Sequence, residues 1–328
     1  HRLLDLDDST GDFIVGASCL NNDSSPLQIC LTSSHKGDSL RIIGDPGAFH
    51  NSTELRYNCS VNTLSYFIER TGSLELKTVA KKTIDALIPG ELLDRNGYKQ
   101  GFVWIGINPG HSGIAFYLEM APPGHEKGWQ AVENWLLHIL PLANTANDIL
   151  KKLRRHCIVA SAGLEGHTLE DCRAKIYFRL LEPEGIDNLD MEIFSSKQMK
   201  DFLAIAKGLY EVDLQGLVMS VGFSLLTGEL VDAKIDLCGH CLRHTPEEWS
   251  LVIRRITDRF SLTPLDTSPV LDSEEYQVAF IGLGLTVDYK PRLNLYVKHD
   301  VQTGIPESDE IWGALKDAMR YLKSVQNM

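Results

Sequence analysis

The sequence predicts an α+β fold in which ten antiparallel strands form a closed β-barrel with α-helices around it. Three observations support this prediction. A strand motif recurs with its centres at residues 115, 175, 234 and 294. Each copy alternates apolar with polar side chains. Each copy also follows another strand and precedes an amphipathic segment, so the chain divides into about five αββα repeats.

The recurring motif forms the second strand of each predicted hairpin. The predicted hairpins join 102–107 to 113–119, 157–164 to 173–180, 217–225 to 230–237, and 278–285 to 292–298. A shorter relative of the motif, Leu40–Ile43, stands near the start of the chain. Hairpins pair antiparallel, and an open sheet of about ten strands tends to curl, whereas closure removes its edges. A closed barrel is therefore preferred, and the alternative is a two-layer sandwich with one polar sheet face in water.

An amphipathic helix is predicted after each hairpin. The clearest one covers 246–260, because Thr245 is a typical N-cap, Pro246 suits the first helical position and Glu248 completes a capping box. Apolar residues at helical spacing predict further helices over 129–140, 199–206 and 311–322. We expect a single domain over residues 1–328, and we expect the chain to begin inside a longer protein.

Composition and charge argue against several functional classes. Of 328 residues, 43% are hydrophobic, which suffices for a large core, and no apolar stretch approaches the roughly 20 residues that cross a bilayer. The formal charge of −12 makes nucleic acid and anionic membranes poor partners. Seven cysteines form no disulfide framework. We therefore expect a cytoplasmic protein. Separately, we expect it to act as a monomer or weak dimer.

The two faces of the recurring strands differ in chemistry. One face is apolar and is expected to pack under the helices. The other face carries tyrosines and six cationic side chains: Arg173, Lys175, Arg179, Lys234, Arg292 and Lys298. A water-exposed face of an acidic protein has no reason to gather these cations, whereas inside a barrel they form a site for a phosphate or diphosphate. The active site is therefore predicted in the barrel lumen.

The strands that precede the recurring motif turn small or aromatic side chains into the same lumen. These side chains are Trp104, Gly106, Ser220, Gly222, Phe280 and Gly282. The small residues are expected to leave room for a ligand.

These motifs resemble those of the ABBA aromatic prenyltransferases, in particular the dimethylallyltryptophan synthase-like enzymes and, among them, bacterial indole prenyltransferases. Arg173-Ala-Lys175-Ile-Tyr177 is similar to the family's Arg-x-Lys-x-Tyr strand, and Asn294-Leu-Tyr296 is similar to its last strand. Ser25–Gln28, followed by Arg41 and Asp45-Pro-Gly, is similar to its first strand pair. The resemblance implies transfer of a dimethylallyl or longer prenyl group from its diphosphate to a small aromatic acceptor, such as an indole or phenol, through an allyl cation.

The resemblance also implies roles for lumen residues. The diphosphate would be bound by Arg41, Arg173, Lys175, Lys234, Arg292 and Asn294. The allyl cation would be shielded by Tyr117, Tyr177 and Tyr296. Trp104 and Phe280 would border the prenyl and acceptor pocket. Because the chain lacks an Asp-Asp-x-x-Asp cluster, no metal site and no required cofactor are expected, although some relatives use Mg²⁺.

Three positions depart from the family pattern. Ala115 replaces a lysine, Gln28 replaces the glutamate that accepts the indole N–H, and Asp236 stands where a tyrosine often lies. A neutral amide cannot act as a base. Asp236 is therefore the first candidate for the base or acceptor-binding group, Gln28 keeps the acceptor-facing position, and Glu119 is a weaker candidate. The alternative for Asp236 is a structural salt bridge to a lumen lysine.

Three other functions stay open at this point. The first is an enzyme of the same fold that uses a non-aromatic acceptor or cyclises an allylic substrate. The second is a non-catalytic barrel that binds an anionic lipid-like ligand. The third is a thiol–disulfide oxidoreductase, because Cys238-Gly-His-Cys241 has the spacing of a redox pair; packing at the barrel rim is the preferred explanation of that motif. His111, in a predicted turn, is expected to be solvated.

Overall fold

Ten strands close into a single antiparallel barrel in the computed structural model. They are β1 (Leu27–Ser34), β2 (Gly37–Gly44), β3 (Val103–Ile107), β4 (Ile114–Glu119), β5 (Cys157–Gly166), β6 (Arg173–Leu180), β7 (Leu217–Ser224), β8 (Leu230–Cys238), β9 (Tyr276–Thr286) and β10 (Pro291–His299). Each strand pairs with its neighbours in the chain, and β1 pairs with β10, for example through Leu31 and Leu295. The predicted barrel is confirmed, and the sandwich alternative is wrong, because a sandwich would leave β1 and β10 as open edges.

The structure describes twelve stretches of the chain: 18–23, 25–48, 50, 52–71, 73–88, 101–108, 113–120, 124–141, 144–182, 185–212, 216–273 and 275–299. The helix predicted over 311–322 and the turn residue His111 lie outside these residues. The prediction of one domain over 1–328 also extends beyond them and stays a prediction.

Helices cover the outer surface of the barrel. Within the described residues they are α1 (Thr53–Thr71), α2 (Leu74–Leu87), α3 (His125–Ile139), α4 (Asn144–His156), α5 (Gly185–Asn188), α6 (Glu192–Ser195), α7 (Lys197–Lys207), α8 (Gly239–Leu242), α9 (Pro246–Phe260) and α10 (Ser268–Leu271). The predicted helices correspond to α3, α7 and α9, and α9 has the expected capping box between Thr245 and Glu248. The sequence pattern did not indicate α1, α2 or α4. None of the described helices is both long and apolar enough to cross a membrane.

The main core lies between the helices and the outward-facing side chains of the strands. Its largest members include Trp129 and Trp135 of α3, and both are fully buried. Trp129 Nε1 donates to the Cys157 carbonyl at 2.9 Å, and Trp135 Nε1 donates to Thr83 Oγ1 at 2.9 Å. These bonds satisfy the two buried indole donors and fix α3 against β5 and α2.

Candidate active site

Three strands supply most of the charged side chains of the lumen. From its hairpin end, β6 carries Arg173, Lys175, Tyr177 and Arg179, β8 carries Asp232, Lys234 and Asp236, and β10 carries Arg292, Asn294, Tyr296 and Lys298. The strand period of two places each series on one face. The charged groups at the hairpin ends of these strands lie close together, whereas the tyrosines, Lys234 and Asp236 lie deeper.

Four cations and two carboxylates form a continuous network at this end. We call it the ion-pair ring, and it consists of Arg41, Glu165, Arg173, Lys175, Asp232 and Arg292. Glu165 Oε1 lies 2.7 Å from Arg41 Nη2 and 3.1 Å from Arg173 Nη2. Asp232 Oδ1 accepts from Lys175 Nζ at 2.9 Å, and its Oδ2 contacts Arg173 and Arg292. Arg173 contacts both carboxylates and so joins the two halves of the ring.

Burial and charge act in opposition on the pKa values of the ring. Burial alone would raise the pKa of Glu165 and Asp232, but the surrounding cations hold both well below their usual range. Burial lowers the pKa of Lys175 to about 8, because the attraction of Asp232 offsets it only in part and Arg173 adds repulsion. With Lys175 protonated, four positive and two negative charges leave the ring with a net charge of +2.

The glycines of the lumen make room for this chain's own side chains. A Cβ atom at Gly222 would overlap the Asp232 carboxylate, and one at Gly282 would overlap Asp236 Oδ1. The expectation that these two positions leave space for a ligand is therefore corrected. Glycine lets each carboxylate lie flat over the neighbouring strand.

Lys234 and Asp236 form a second ion pair deeper in the lumen. Lys234 Nζ lies 2.6 Å from Asp236 Oδ2 and donates to the Tyr296 hydroxyl at 2.8 Å. It also lies 5.2 Å and 5.0 Å from the ring centroids of Tyr177 and Tyr296, which is a cation–π arrangement. Burial would lower the pKa of Lys234, but Asp236 and the two tyrosines raise it well above its usual value. Lys234 is therefore protonated.

The second carboxylate oxygen of Asp236 is not satisfied. Oδ1 is buried and has no hydrogen-bond partner among the described residues. A buried acceptor in this state costs about 1–3 kcal/mol unless another molecule supplies a donor. The position thus has an unused hydrogen-bonding capacity beside the lumen.

A cavity opens next to this pair, with about 740 Å³ of empty space including its mouth. The aromatic members of its wall are Trp104, Tyr117, Tyr177, Phe280 and Tyr296. The polar members include Gln28, Arg41, Ser161, Arg179, Lys234 and Asp236. Because Arg41 belongs to both the wall and the ion-pair ring, the two regions adjoin.

The tyrosines of the wall are neutral and tightly held. Tyr117 and Tyr177 meet edge to face with ring centroids 5.2 Å apart, and the Tyr117 hydroxyl donates to Glu165 Oε2 at 2.9 Å. Burial raises the pKa of Tyr117, Tyr177 and Tyr296 well above the usual range. The wall therefore presents phenols, with no phenolate that could attack an electrophile.

Gln28 and Glu119, the other two predicted catalytic residues, have different surroundings. Gln28 Nε2 donates to Asn21 Oδ1 at 2.6 Å and to the Leu20 carbonyl at 3.2 Å. The amide oxygen is then the atom that Gln28 can offer to the cavity. Glu119 Oε2 accepts from the Cys19 thiol at 3.0 Å, and within the described residues Glu119 is not part of the cavity wall.

The Cys238–Cys241 motif lacks the properties of a redox pair. Burial raises the pKa of the Cys238 thiol to about 12, whereas a reactive cysteine needs a lowered pKa. No disulfide joins any of the cysteines in the part of the chain that the structure describes. Nothing in the described residues supports thiol–disulfide exchange, and this alternative is abandoned.

The predicted diphosphate-binding residues lie in two parts of the lumen. Arg41, Arg173, Lys175 and Arg292 meet in the ion-pair ring. Lys234 lies deeper, and so does Asn294, whose Nδ2 donates to the Tyr296 hydroxyl at 3.3 Å.

Glu165 was not predicted, and Arg179 was predicted only as one of the six cations of the lumen face. Glu165 continues the alternation of the lumen-facing side chains of β5, and this pattern was the signal that could have identified it. It lies one residue past the predicted end of the strand. Within the described ranges, no three His, Cys, Asp or Glu side chains meet in a way that could hold a metal ion.

Neither a protein-family model nor a curated protein matches this chain. Solved structures do match it. The ternary complex of the prenyltransferase PriB with L-tryptophan and dimethylallyl thiolodiphosphate matches with a TM-score of 0.66 and 17% identity, over 86% of this chain and 82% of PriB.

Two further structures, each in complex with DMASPP and Trp, are similar to the same extent. For 5-dimethylallyl tryptophan synthase from Streptomyces coelicolor the TM-score is 0.67 and the identity 15%, over 89% of this chain and 84% of that one. For 6-dimethylallyltryptophan synthase from Micromonospora olivasterospora the TM-score is 0.68 and the identity 15%, over 86% and 84%. These likenesses agree with the motifs in the sequence, and this chain has the ten-stranded barrel fold of the ABBA prenyltransferases.

Proposed function

We propose that this protein is an aromatic prenyltransferase that moves a dimethylallyl or longer prenyl group from its diphosphate to an electron-rich aromatic acceptor. The observation that carries the proposal is the ion-pair ring lying next to a cavity walled by tyrosines. The ring offers donors to a diphosphate, and the cavity offers aromatic faces to an allyl cation. PriB and the Streptomyces coelicolor synthase hold a dimethylallyl thiolodiphosphate or DMASPP together with tryptophan in the same fold, which supports the proposal.

In the first step the bond between the allyl carbon and the diphosphate oxygen breaks, and both electrons leave with the diphosphate. Arg41, Arg173 and Arg292 are partly exposed in the ring and would donate charge-assisted hydrogen bonds to the departing oxygens. Lys175 adds a positive charge behind them, and Lys234 adds one from the cavity side. Fixed positive charges stabilise the developing negative charge, which lowers the barrier to ionisation.

The allyl cation then needs aromatic faces and the absence of water. Tyr117, Tyr177 and Tyr296 all belong to the cavity wall. Two of these rings, those of Tyr177 and Tyr296, already lie 5.2 Å and 5.0 Å from a positive charge, the ammonium group of Lys234. Aromatic rings at these positions would stabilise a carbocation and keep water from quenching it.

In the second step a carbon of the aromatic acceptor attacks the cation, a C–C bond forms, and the proton on that carbon must leave. We propose Asp236 as the base, because its Oδ1 has no partner among the described residues while Lys234 holds its Oδ2. Gln28 would accept a hydrogen bond from the N–H or O–H of the acceptor through its amide oxygen, which suits an indole or a phenol. Trp104 and Phe280 would make apolar contacts with the prenyl group and the acceptor.

We also propose a cellular compartment, an oligomeric state and a metal requirement for this enzyme. The free thiols suit a reducing compartment, so we propose a cytoplasmic enzyme. We propose that it acts as a monomer or weak dimer without a required metal ion. Glu119, which contacts Cys19 but does not itself line the cavity, has no role in this proposal.

The first test is calorimetric binding of dimethylallyl thiolodiphosphate in EDTA and then with Mg²⁺. We expect micromolar binding in EDTA, and we expect Arg41→Ala and Lys175→Ala to abolish it while circular dichroism shows an intact fold. Lys151→Ala, which removes an exposed cation of α4, is the matched control and should bind normally. Unchanged affinity in both lumen variants would contradict the lumen site, and binding only with Mg²⁺ would contradict the metal-independent mechanism.

The second test is turnover with indoles and phenols, followed by mass spectrometry of the products. A prenylated acceptor is expected, whereas a cyclised product or binding without turnover would contradict the proposal. Asp236→Asn should lower the turnover number about 100-fold or more, the size typical of losing a general base. Its affinity for diphosphate should change much less, since the ion-pair ring is intact.

A further inference from the structure

Two carboxylates, Glu165 and Asp232, occupy the centre of the ring that is proposed to bind a diphosphate. Both would repel an anion, and nothing in the proposed reaction needs them. Both are buried, and neighbouring cations hold their pKa values well below the usual range, so both are charged at neutral pH. Their presence inside an anion site therefore requires an explanation.

Their contacts indicate what the carboxylates do in the free protein. Glu165 Oε1 lies 2.7 Å from Arg41 and 3.1 Å from Arg173. Asp232 lies 2.9 Å from Lys175 and also contacts Arg173 and Arg292. Every cation of the ring thus has a counter-charge from the protein before any ligand arrives.

A bound diphosphate would compete with these carboxylates for the same N–H donors. Removing one partner of a buried ion pair leaves the other charge uncompensated and destabilises the free protein. An anionic ligand would restore the missing charge, so the free energy lost in the free protein would return as tighter binding. Neutralising a carboxylate of the ring should therefore strengthen diphosphate binding. Neutralising a residue with a purely structural role would not increase the affinity for diphosphate.

We propose that Glu165 and Asp232 are internal counter-anions that hold the four cations of the ring in position and weaken the affinity of the site for diphosphate. Weaker binding speeds departure of the diphosphate product, and product release limits turnover in many enzymes. The two residues act through the cations, so they are positioning residues. This inference rests on the proposed function, because it takes the ring as the diphosphate site.

The test is calorimetric titration of the full chain with inorganic diphosphate in EDTA at neutral pH. Glu165→Gln and Asp232→Asn keep the shape of each side chain and remove its charge. We expect each variant to bind diphosphate about tenfold more tightly than the wild type. We also expect each to melt at a lower temperature without ligand and to show a larger rise in melting temperature when diphosphate is added.

Two controls accompany the test. Asp148→Asn makes the same change in net charge at an exposed position of α4 and should leave the affinity unchanged. The double variant Lys175→Met/Asp232→Asn removes a cation together with its counter-charge and should lose the gain seen in Asp232→Asn. If one single variant fails to fold, the other single variant carries the same test.

The outcomes separate this inference from the proposed function. Unchanged or weaker affinity in both single variants, with binding intact in the wild type, would overturn the inference and leave the proposed function standing. No binding of diphosphate by the wild type or any variant would overturn both. Tighter binding by one variant alone supports the role for that carboxylate and overturns it for the other.

Discussion

Two buried lysines of the lumen, Lys175 in the ion-pair ring and Lys234 in the deeper pair, have opposite pKa shifts in similar positions. Their side chains are 1% and 2% exposed, and their Nζ atoms lie 2.9 Å and 2.6 Å from one aspartate each. Burial lowers the pKa of Lys175 to about 8, whereas Asp236 and two tyrosines outweigh burial and raise the pKa of Lys234. The wider set of neighbouring charges, rather than burial or the distance to one partner, decides the shift.

The difference comes from how each carboxylate is shared. Asp232 contacts Lys175, Arg173 and Arg292, so one negative charge is divided among three cations that repel one another. Asp236 has Lys234 as its only ion-pair partner among the described residues. The ring therefore keeps a net positive charge that attracts an anion, while the pair is neutral as a unit. The same residue types thus give one region with a net positive charge and a separate region that is neutral as a pair.

Loss of Lys234 should cost more stability than loss of Lys175. Lys234→Met leaves Asp236 buried without its cation, and we expect the free energy of unfolding to fall by about 3–5 kcal/mol. Lys175→Met leaves Asp232 in contact with two arginines and removes a poorly compensated buried charge. We expect a fall of about 1 kcal/mol or less in that case. Denaturant unfolding followed by circular dichroism measures both values.

A double variant checks the cause of the larger loss. Lys234→Met/Asp236→Asn removes the uncompensated charge as well, so it should recover most of the stability lost in Lys234→Met. If Lys175→Met and Lys234→Met lost the same free energy of unfolding, the ring would not share its charges as the contacts indicate.

Strand alternation was sufficient to predict much of the deeper region. Tyr177, Lys234, Asp236 and Tyr296 stand on the predicted lumen face, because burial of the apolar face leaves only one side for the others. Glu165 was missed for a local reason: the predicted strand ended at Leu164, whereas β5 continues to Gly166 and pairs Glu165 with Arg173. Strand ends are set by pairing with a neighbour as much as by the strand's own residues.

The sharing of charges in the ring could not be predicted from the sequence. Asp232 was visible on the polar face, but the curvature of the sheet decides that Arg173 of β6 and Arg292 of β10, each two strands away, reach the same carboxylate. The helix α4, in contrast, could have been predicted. Ala146, Leu150 and Leu153 are buried at helical spacing among charged residues, and this strongly amphipathic pattern was not recognised.

The two lysines should also differ in their response to pH. Lys175 is protonated below about pH 8 and neutral above it, and an anion binds better to the protonated form. The affinity for diphosphate should therefore be highest below about pH 8 and fall as pH rises through it, by up to about tenfold per pH unit. Lys234 stays protonated over the same range and contributes no such dependence. Calorimetric titrations at a series of pH values measure this effect.

Lys175→Arg is the control for the pH experiment, because a guanidinium group keeps its charge across the range. The ionisation of diphosphate itself affects the wild type and this variant equally. The affinity of the wild type divided by that of Lys175→Arg therefore reports the titration of Lys175 alone. This ratio should fall above about pH 8. A constant ratio would mean that Lys175 does not titrate there, and the contrast with Lys234 would disappear.

The smallest expected effect concerns an ion pair on the outer surface. Lys151 and Asp148 of α4 lie 3.4 Å apart with side chains 70% and 76% exposed. Water screens such pairs, so Lys151→Met should change the free energy of unfolding by less than about 0.5 kcal/mol in the same denaturant experiment. Lys151→Met and Lys234→Met remove the same charge from the chain, so the difference between their effects measures what burial adds to an ion pair. If Lys151→Met lowered the free energy of unfolding as much as Lys234→Met, net charge rather than the burial of the ion pair would control stability.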